Sequence, residues 1–117
     1  MQMTDWERAE LGRRIQEHED QTSESLGLIR LLEEQWDEYG RVMRDQTARY
    51  EEAAHVLGST SYPVDRGLAS RREVESYVAQ LVRQQAEFCD ETAWRCRTES
   101  EAELDRLQRE REVASWA

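Results

Sequence analysis

Few residues in this chain are equipped for chemistry. Among 117 residues there are two His and two Cys, and all 16 basic residues are Arg. Without Lys there is no side-chain amine for Schiff-base chemistry or for gripping phosphate in a glycine-rich loop. One spacing has a chemical use: Glu52-Ala53-Ala54-His55. On a helix, Glu-x-x-His sets a carboxylate and an imidazole on one face, the arrangement with which carboxylate bundles hold paired metal ions. A homodimer supplies the motif twice, and Glu73 or Glu75 adds carboxylates. The competing reading is electrostatic: His55 falls in the last turn of a helix, where the macrodipole favours a cation without any metal. His18 falls at a helix seam and reads as a polar residue that sets register.

Cys89 and Cys96 lie seven apart on one predicted helix. Their Cα atoms are then about 10 Å apart, too far for a disulfide within one straight helix. They read as core thiols of a reducing compartment, with an intermolecular bridge as the alternative. No Ser or Cys stands with a base, and no Cys-x-x-Cys pair is present. The chain is expected to be a non-enzyme with no cofactor and no metal, and a carboxylate metal bundle is the remote alternative.

The elements that carry these residues are two long helices. From Leu11 onward one heptad set is Ile15, Thr22, Ile29, Trp36, Met43, Tyr50 and Leu57. The other is Leu11, His18, Ser25, Leu32, Tyr39, Gln46 and Ala53. Thr4-Asp5-Trp6-Glu7 has the form of a capping box, and Gly58 suits the position after a helix end. Helix 1 is therefore predicted over about 5–57. A loop follows over 58–70, holding the only Pro, and Ser70-Arg71-Arg72-Glu73 reads as a second capping box. Helix 2 is predicted over about 71–113. Its stripe is Val74, Val78, Leu81, Gln85 and Phe88, then a slip to Cys89, Thr92, Cys96, Leu104 and Leu107.

Folding back near Tyr62 sets Tyr50 against Val74, Met43 against Leu81, Trp36 against Phe88, and Leu11 near Val113. The predicted fold is all-α: one domain over 1–117, a long antiparallel two-helix hairpin of coiled-coil type. Such a hairpin leaves half of each helix wet, so a partner or a second copy is expected to complete a helical bundle.

Composition narrows the partner. The charged fraction is 36%, the hydrophobic fraction 38% and the net charge −10, with a mean hydropathy of −0.98. A chain this acidic is a poor match for phosphate backbones or anionic membranes. No apolar run approaches a membrane span, and Met1-Gln-Met-Thr-Asp-Trp is not a signal peptide. The expected location is cytoplasmic, with export beside a partner by a route lacking a cleaved signal as the variant. The expected partner is a helical protein, either another protein or a second copy, with no nucleic acid and no membrane insertion.

Five residues are candidate partner contacts. Leu26, Leu28 and Leu31 make residues 26–32 apolar in more directions than one seam can cover. Trp94 stands off the helix 2 stripe among acids, where it either packs beside Gly27 or anchors an interface. Trp116 and Trp6 sit at the open end of the predicted hairpin, as a clamp or a contact.

The long acidic first helix, the break at Leu57-Gly-Ser-Thr-Ser-Tyr-Pro and the charged end of helix 2 together resemble the small α-helical partners of LXG toxins in type VII secretion. The resemblance covers residues 9–112 by architecture. It implies a two-helix targeting chaperone that binds the helical N-terminal domain of a toxin. The Trp-x-Gly turn of related secretion substrates is absent, with Leu57-Gly58-Ser59 in its place. The aromatic-x-x-x-acid export spacing occurs only at Trp6 and Glu10, so the resemblance implies an assistant to a complex rather than its signal carrier. A self-associating homodimeric spacer is the alternative function.

Overall fold

The computed structural model describes the backbone of residues 3–58 and 62–116, and side chains as far as Ala114. The fold is all-α: two long helices, α1 (Asp5–Val56) and α2 (Tyr62–Trp116), packed as an antiparallel hairpin. The start of α1 is held as its sequence predicts. The Glu7 amide donates to Thr4 Oγ1 and the Thr4 amide donates to Glu7 Oε2, both at 3.1 Å, which closes the reciprocal capping box. Its end is equally legible. Gly58 adopts φ +77°, the left-handed conformation that only glycine takes without a Cβ penalty.

The loop prediction needs correction. Helix α2 begins at Tyr62, nine residues before the expected Arg71, so most of the predicted loop is helical and Ser70–Glu73 lies inside the helix. Pro63 does not break it: in a first turn the missing N–H has no intrahelical acceptor to lose, and the fixed φ suits the helix. Asp65 adds an acid to that turn, where the dipole favours it.

Contacts within the hairpin gather into two compact units, each containing part of both helices. One comprises the chain up to Arg30 and from Asp90 onward; the other comprises Leu31–Cys89. In the first unit the core is Leu11, Ile15 and Leu107, with Leu104 and Met3 packed against it. Each of the three buried side chains contributes about 1.5–3 kcal/mol by leaving water. In the second unit Ala54, Val78, Thr47 and Cys89 are buried, and Gly40 packs on Val82.

The inner line of α1 corrects one of the two predicted heptad sets. Ile15, Thr22, Ile29, Trp36 and Met43 point inward as predicted; Tyr50 is more exposed but reaches α2 with its hydroxyl, and Leu57 is exposed. From residue 25 the second set is displaced by one. Ser25, Leu32, Tyr39, Gln46 and Ala53 are exposed, and Leu26, Glu33, Gly40, Thr47 and Ala54 stand inside. The reason is the mismatch between 3.6 residues per turn and a strict heptad, which drifts about 20° per repeat. The line absorbs it with two successive steps of four, His18–Thr22–Leu26. Helix α2 does the same at Thr92–Cys96–Ser100, all at least half-buried. Both adjustments lie in the first unit, and they meet where Thr22 Oγ1 and Ser100 Oγ share a hydrogen bond of 2.8 Å.

The predicted stripe of α2 shifts too. Val74 and Phe88 are exposed, and Val82 and Cys89 take the inner positions beside Val78. Tyr50 accordingly meets Gly67 rather than Val74. The Gln46 carboxamide accepts from Arg71 at 2.8 Å, and Arg72 pairs with Glu51 at 3.1 Å.

Candidate functional site

The predicted contact residues separate when placed on the helices. Leu28, Leu31 and Trp94 are exposed, at 61%, 50% and 64%. Leu26 is half-buried on the inner line between Thr22 and Ile29, so it belongs to the intrachain core rather than to a partner surface. Trp94 follows buried Ala93 and lies roughly 130° around α2 from the line of Ala93, Cys96 and Ser100. It therefore faces away from α1 instead of packing beside Gly27. The side chain of Trp116 falls outside the described residues, so its predicted contact is not placed. Trp6 is exposed.

A larger feature is contained in the Leu31–Cys89 unit, although Leu31 itself, seven and fourteen residues before Glu38 and Asp45, lies on their outer line and not on this face. On α1 the positions Leu32, Gln35, Tyr39, Val42 and Gln46 recur at steps of three and four. On α2 so do Ser70, Val74, Tyr77, Leu81, Gln84 and Phe88. Each is a second seam beside the inner one, turned about 90–110° from it. Because the helices are antiparallel, both turns lead to the same side. A groove of about 380 Å³, lined by Leu32, Gln35, Trp36, Tyr39 from α1 and Leu81 from α2, joins the two stripes. The Trp36 and Tyr39 rings meet edge to face on its wall, with centroids 6.0 Å apart. Tyr77 and Phe88 stand on either side of Leu81 along α2, exposed at 66% and 59%.

Neither stripe contains a charged residue. The charge of this unit lies outside these stripes: Glu34, Asp37, Glu38, Arg41, Arg44 and Asp45 on α1 and Arg72, Glu73, Arg83 and Glu87 on α2 are exposed, and Glu33, Arg71 and Glu75 are half-buried on the inner line. Several of these pair along their own helix, as Arg41 does with Glu38 at 2.5 Å and Asp45 at 3.4 Å. The Arg41 hydrogen bond holds the Glu38 carboxyl below the usual carboxylate value. Arg13 acts likewise on Glu10, and Arg106 on Glu103. Arg13, Glu38, Arg41 and Arg106 are exposed and Glu10 and Glu103 half-buried, so these pairs are largely solvated helix decoration.

Sequence reading found Leu28 and Leu31 by their excess apolarity but placed Tyr39, Val74 and Phe88 in the intrachain seam. The signal that identifies the face is the lack of charge at eleven positions of heptad spacing in a chain that is 36% charged.

The first unit offers a contrasting, polar site. A groove of about 560 Å³ is lined by His18, Thr22, Ser25, Thr92, Arg95, Cys96, Glu99, Ser100 and other polar residues. Thr22 Oγ1 also donates to the His18 carbonyl oxygen at 2.9 Å. His18 Nε2 is buried without a hydrogen-bond partner. Cys89 is buried and Cys96 half-buried, and neither is in a disulfide.

Glu52 and His55 are both exposed, and Ala54 holds the inward position between them. Among the described residues no three His, Cys, Asp or Glu side chains are grouped to share a cation. Among them, too, no helix is long and apolar enough to cross a membrane.

No protein-family model, curated protein or solved structure matches this chain.

Proposed function

We propose that the chain is a non-enzymatic protein-interaction module, and that the uncharged face of the Leu31–Cys89 unit is where helices of another protein dock to complete a bundle. The observation that carries this reading is the face itself. Six large side chains (Leu32, Tyr39, Val42, Val74, Tyr77, Phe88) are each at least 38% exposed there. At roughly 150–250 Å² for an aromatic side chain, the three rings alone present roughly 260–430 Å², and Leu32, Val42 and Val74 extend the patch to a size that marks an interaction site. Interface cores are depleted of charge and enriched in aromatic residues, and this face has both properties. A helical partner suits it because the stripes repeat at heptad spacing, which is the spacing that receives knobs from a facing helix.

The finer reading is an adaptor or targeting chaperone that accompanies the helical N-terminal domain of a type VII LXG toxin. The resemblance of residues 9–112 to such partners and the two-helix hairpin support it. The acidic side remains outside the docked assembly and keeps it soluble.

Co-expression with the product of the adjacent gene tests the reading. The expected result is a purified complex in which amide exchange slows over residues 31–46 and 70–88. A complex that protects only the charged side, or a toxin domain that ignores this chain, contradicts it.

A further inference from the structure

We infer that in the free protein the uncharged face is closed by a second copy of this chain, packed about a two-fold axis so that the aromatic ridge of each copy, Tyr77 and Phe88, lies on the Leu32–Tyr39 groove of the other. The inference rests on the reading of this face as a docking surface and names its occupant when no other protein is present.

Three observations select a second copy. A two-fold interface must be self-complementary, each patch meeting its own duplicate. This face carries a groove lined in part by Leu81, and exposed rings, Tyr77 and Phe88, before and after Leu81 along α2. The area is of the right order: the rings of Tyr39, Tyr77 and Phe88 expose roughly 260–430 Å², and Leu32, Val42, Val74, Gln35, Gln46 and Gln84 extend the patch toward the ~800 Å² per partner of a standard interface. Charge permits it as well. Two chains of net charge −10 repel each other, yet this side brings no carboxylate against a carboxylate, because neither stripe contains an acid.

The consequence is regulatory. A copy and a foreign helix compete for one surface, so self-association shields the apolar residues until a partner displaces the second copy. Partner affinity then falls as the concentration of this chain rises.

Sedimentation of the pure full chain from about 1 µM to about 100 µM, with circular dichroism alongside, tests the inference. The expected result is a monomer–dimer equilibrium that Tyr77→Glu and Leu32→Glu each abolish without loss of helicity, while Trp94→Glu leaves it unchanged. Tyr77 and Leu32 are already exposed, so neither substitution strains the monomer. A chain that stays monomeric throughout overturns the inference and leaves the proposed function standing if a partner still protects the face. A dimer indifferent to both face substitutions overturns the inference too, and a partner that binds the Leu32→Glu chain as tightly as the parent removes the proposed function separately.

Discussion

Thr22 and Ser100, 78 residues apart, share a 2.8 Å hydroxyl–hydroxyl hydrogen bond between α1 and α2. Ser100 is buried and Thr22 half-buried, and each lies where its helix takes the extra step of four that keeps its inner line facing the other. The bond therefore pins register within the first unit at the place where heptad spacing alone would let it slip. Thr22→Val leaves a buried hydroxyl unsatisfied and should destabilise by about 1–3 kcal/mol. Thr22→Val with Ser100→Ala should recover most of that loss, because removing both partners leaves nothing unpaired. Thermal melts of the two single variants and the double variant, read as a cycle, give the coupling; additive losses would contradict the pinning role.

The Tyr50 hydroxyl packs directly on the Cα of Gly67, leaving no room for a Cβ there. Gly67→Ala should cost about 1 kcal/mol or more by overpacking. Adding Tyr50→Phe should return part of it, since the hydroxyl makes the nearest contact and the ring carbon that bears it lies 3.3 Å from the same point. Denaturant midpoints of the three proteins decide this. Tolerance of Gly67→Ala alone would show that α1 and α2 move apart freely near the turn.

The helix ends give a third expectation. Gly58→Ala forces a Cβ into the left-handed conformation and should cost about 1 kcal/mol. Thr4→Ala removes the hydroxyl that accepts from the Glu7 amide and should cost roughly 0.5–2 kcal/mol. Amide exchange should report the Thr4→Ala loss near residues 5–10 and leave residues 31–56 unaffected.

The sequence made these ends legible because capping is local: Thr4, Glu7 and Gly58 act within one turn. It also showed the inward line through Ile15, Thr22, Ile29, Trp36 and Met43. The second line was misplaced because a strict heptad was extended past His18, where the helix takes two steps of four. The start of α2 was missed because Pro63 reads as a breaker although it sits in a first turn. Tyr39, Val74 and Phe88 were assigned inward because a heptad stripe of apolar residues looks the same whether its partner is intrachain or external. Absence of charge distinguishes the external stripe, since the inner line of this chain tolerates Glu33, Arg71 and Glu75 at its half-buried positions.

Acid should weaken the fold in a defined direction. Glu10, Glu38 and Glu103 are held below the ordinary value of 4.5 by Arg13, Arg41 and Arg106. A carboxyl with a lowered folded-state pKa contributes stability that is fully present above its unfolded value and is lost as pH falls through the folded one. Melting temperature should therefore hold above about pH 5 and decline below about pH 4.5. The Glu10→Gln, Glu38→Gln, Glu103→Gln triple variant should show a shallower decline. Equal slopes would mean that these exposed pairs contribute nothing.

Salt separates an apolar contact from an ionic one. Two chains of net charge −10 repel at low ionic strength, and screening removes that repulsion. Association through the uncharged face should tighten between about 50 mM and 500 mM salt, whereas association through Arg–carboxylate pairs should weaken. Sedimentation across that range reads the sign directly.

The central claim is that the face built from Leu32–Gln46 and Ser70–Phe88 is where this chain meets other helices. The most direct measurement is the mass of the species formed by the Leu32→Glu/Tyr77→Glu variant, alone and with the adjacent gene product, beside its helical circular dichroism. A fully helical protein that stays monomeric and unbound is the predicted result. Assembly matching that of the parent chain contradicts it.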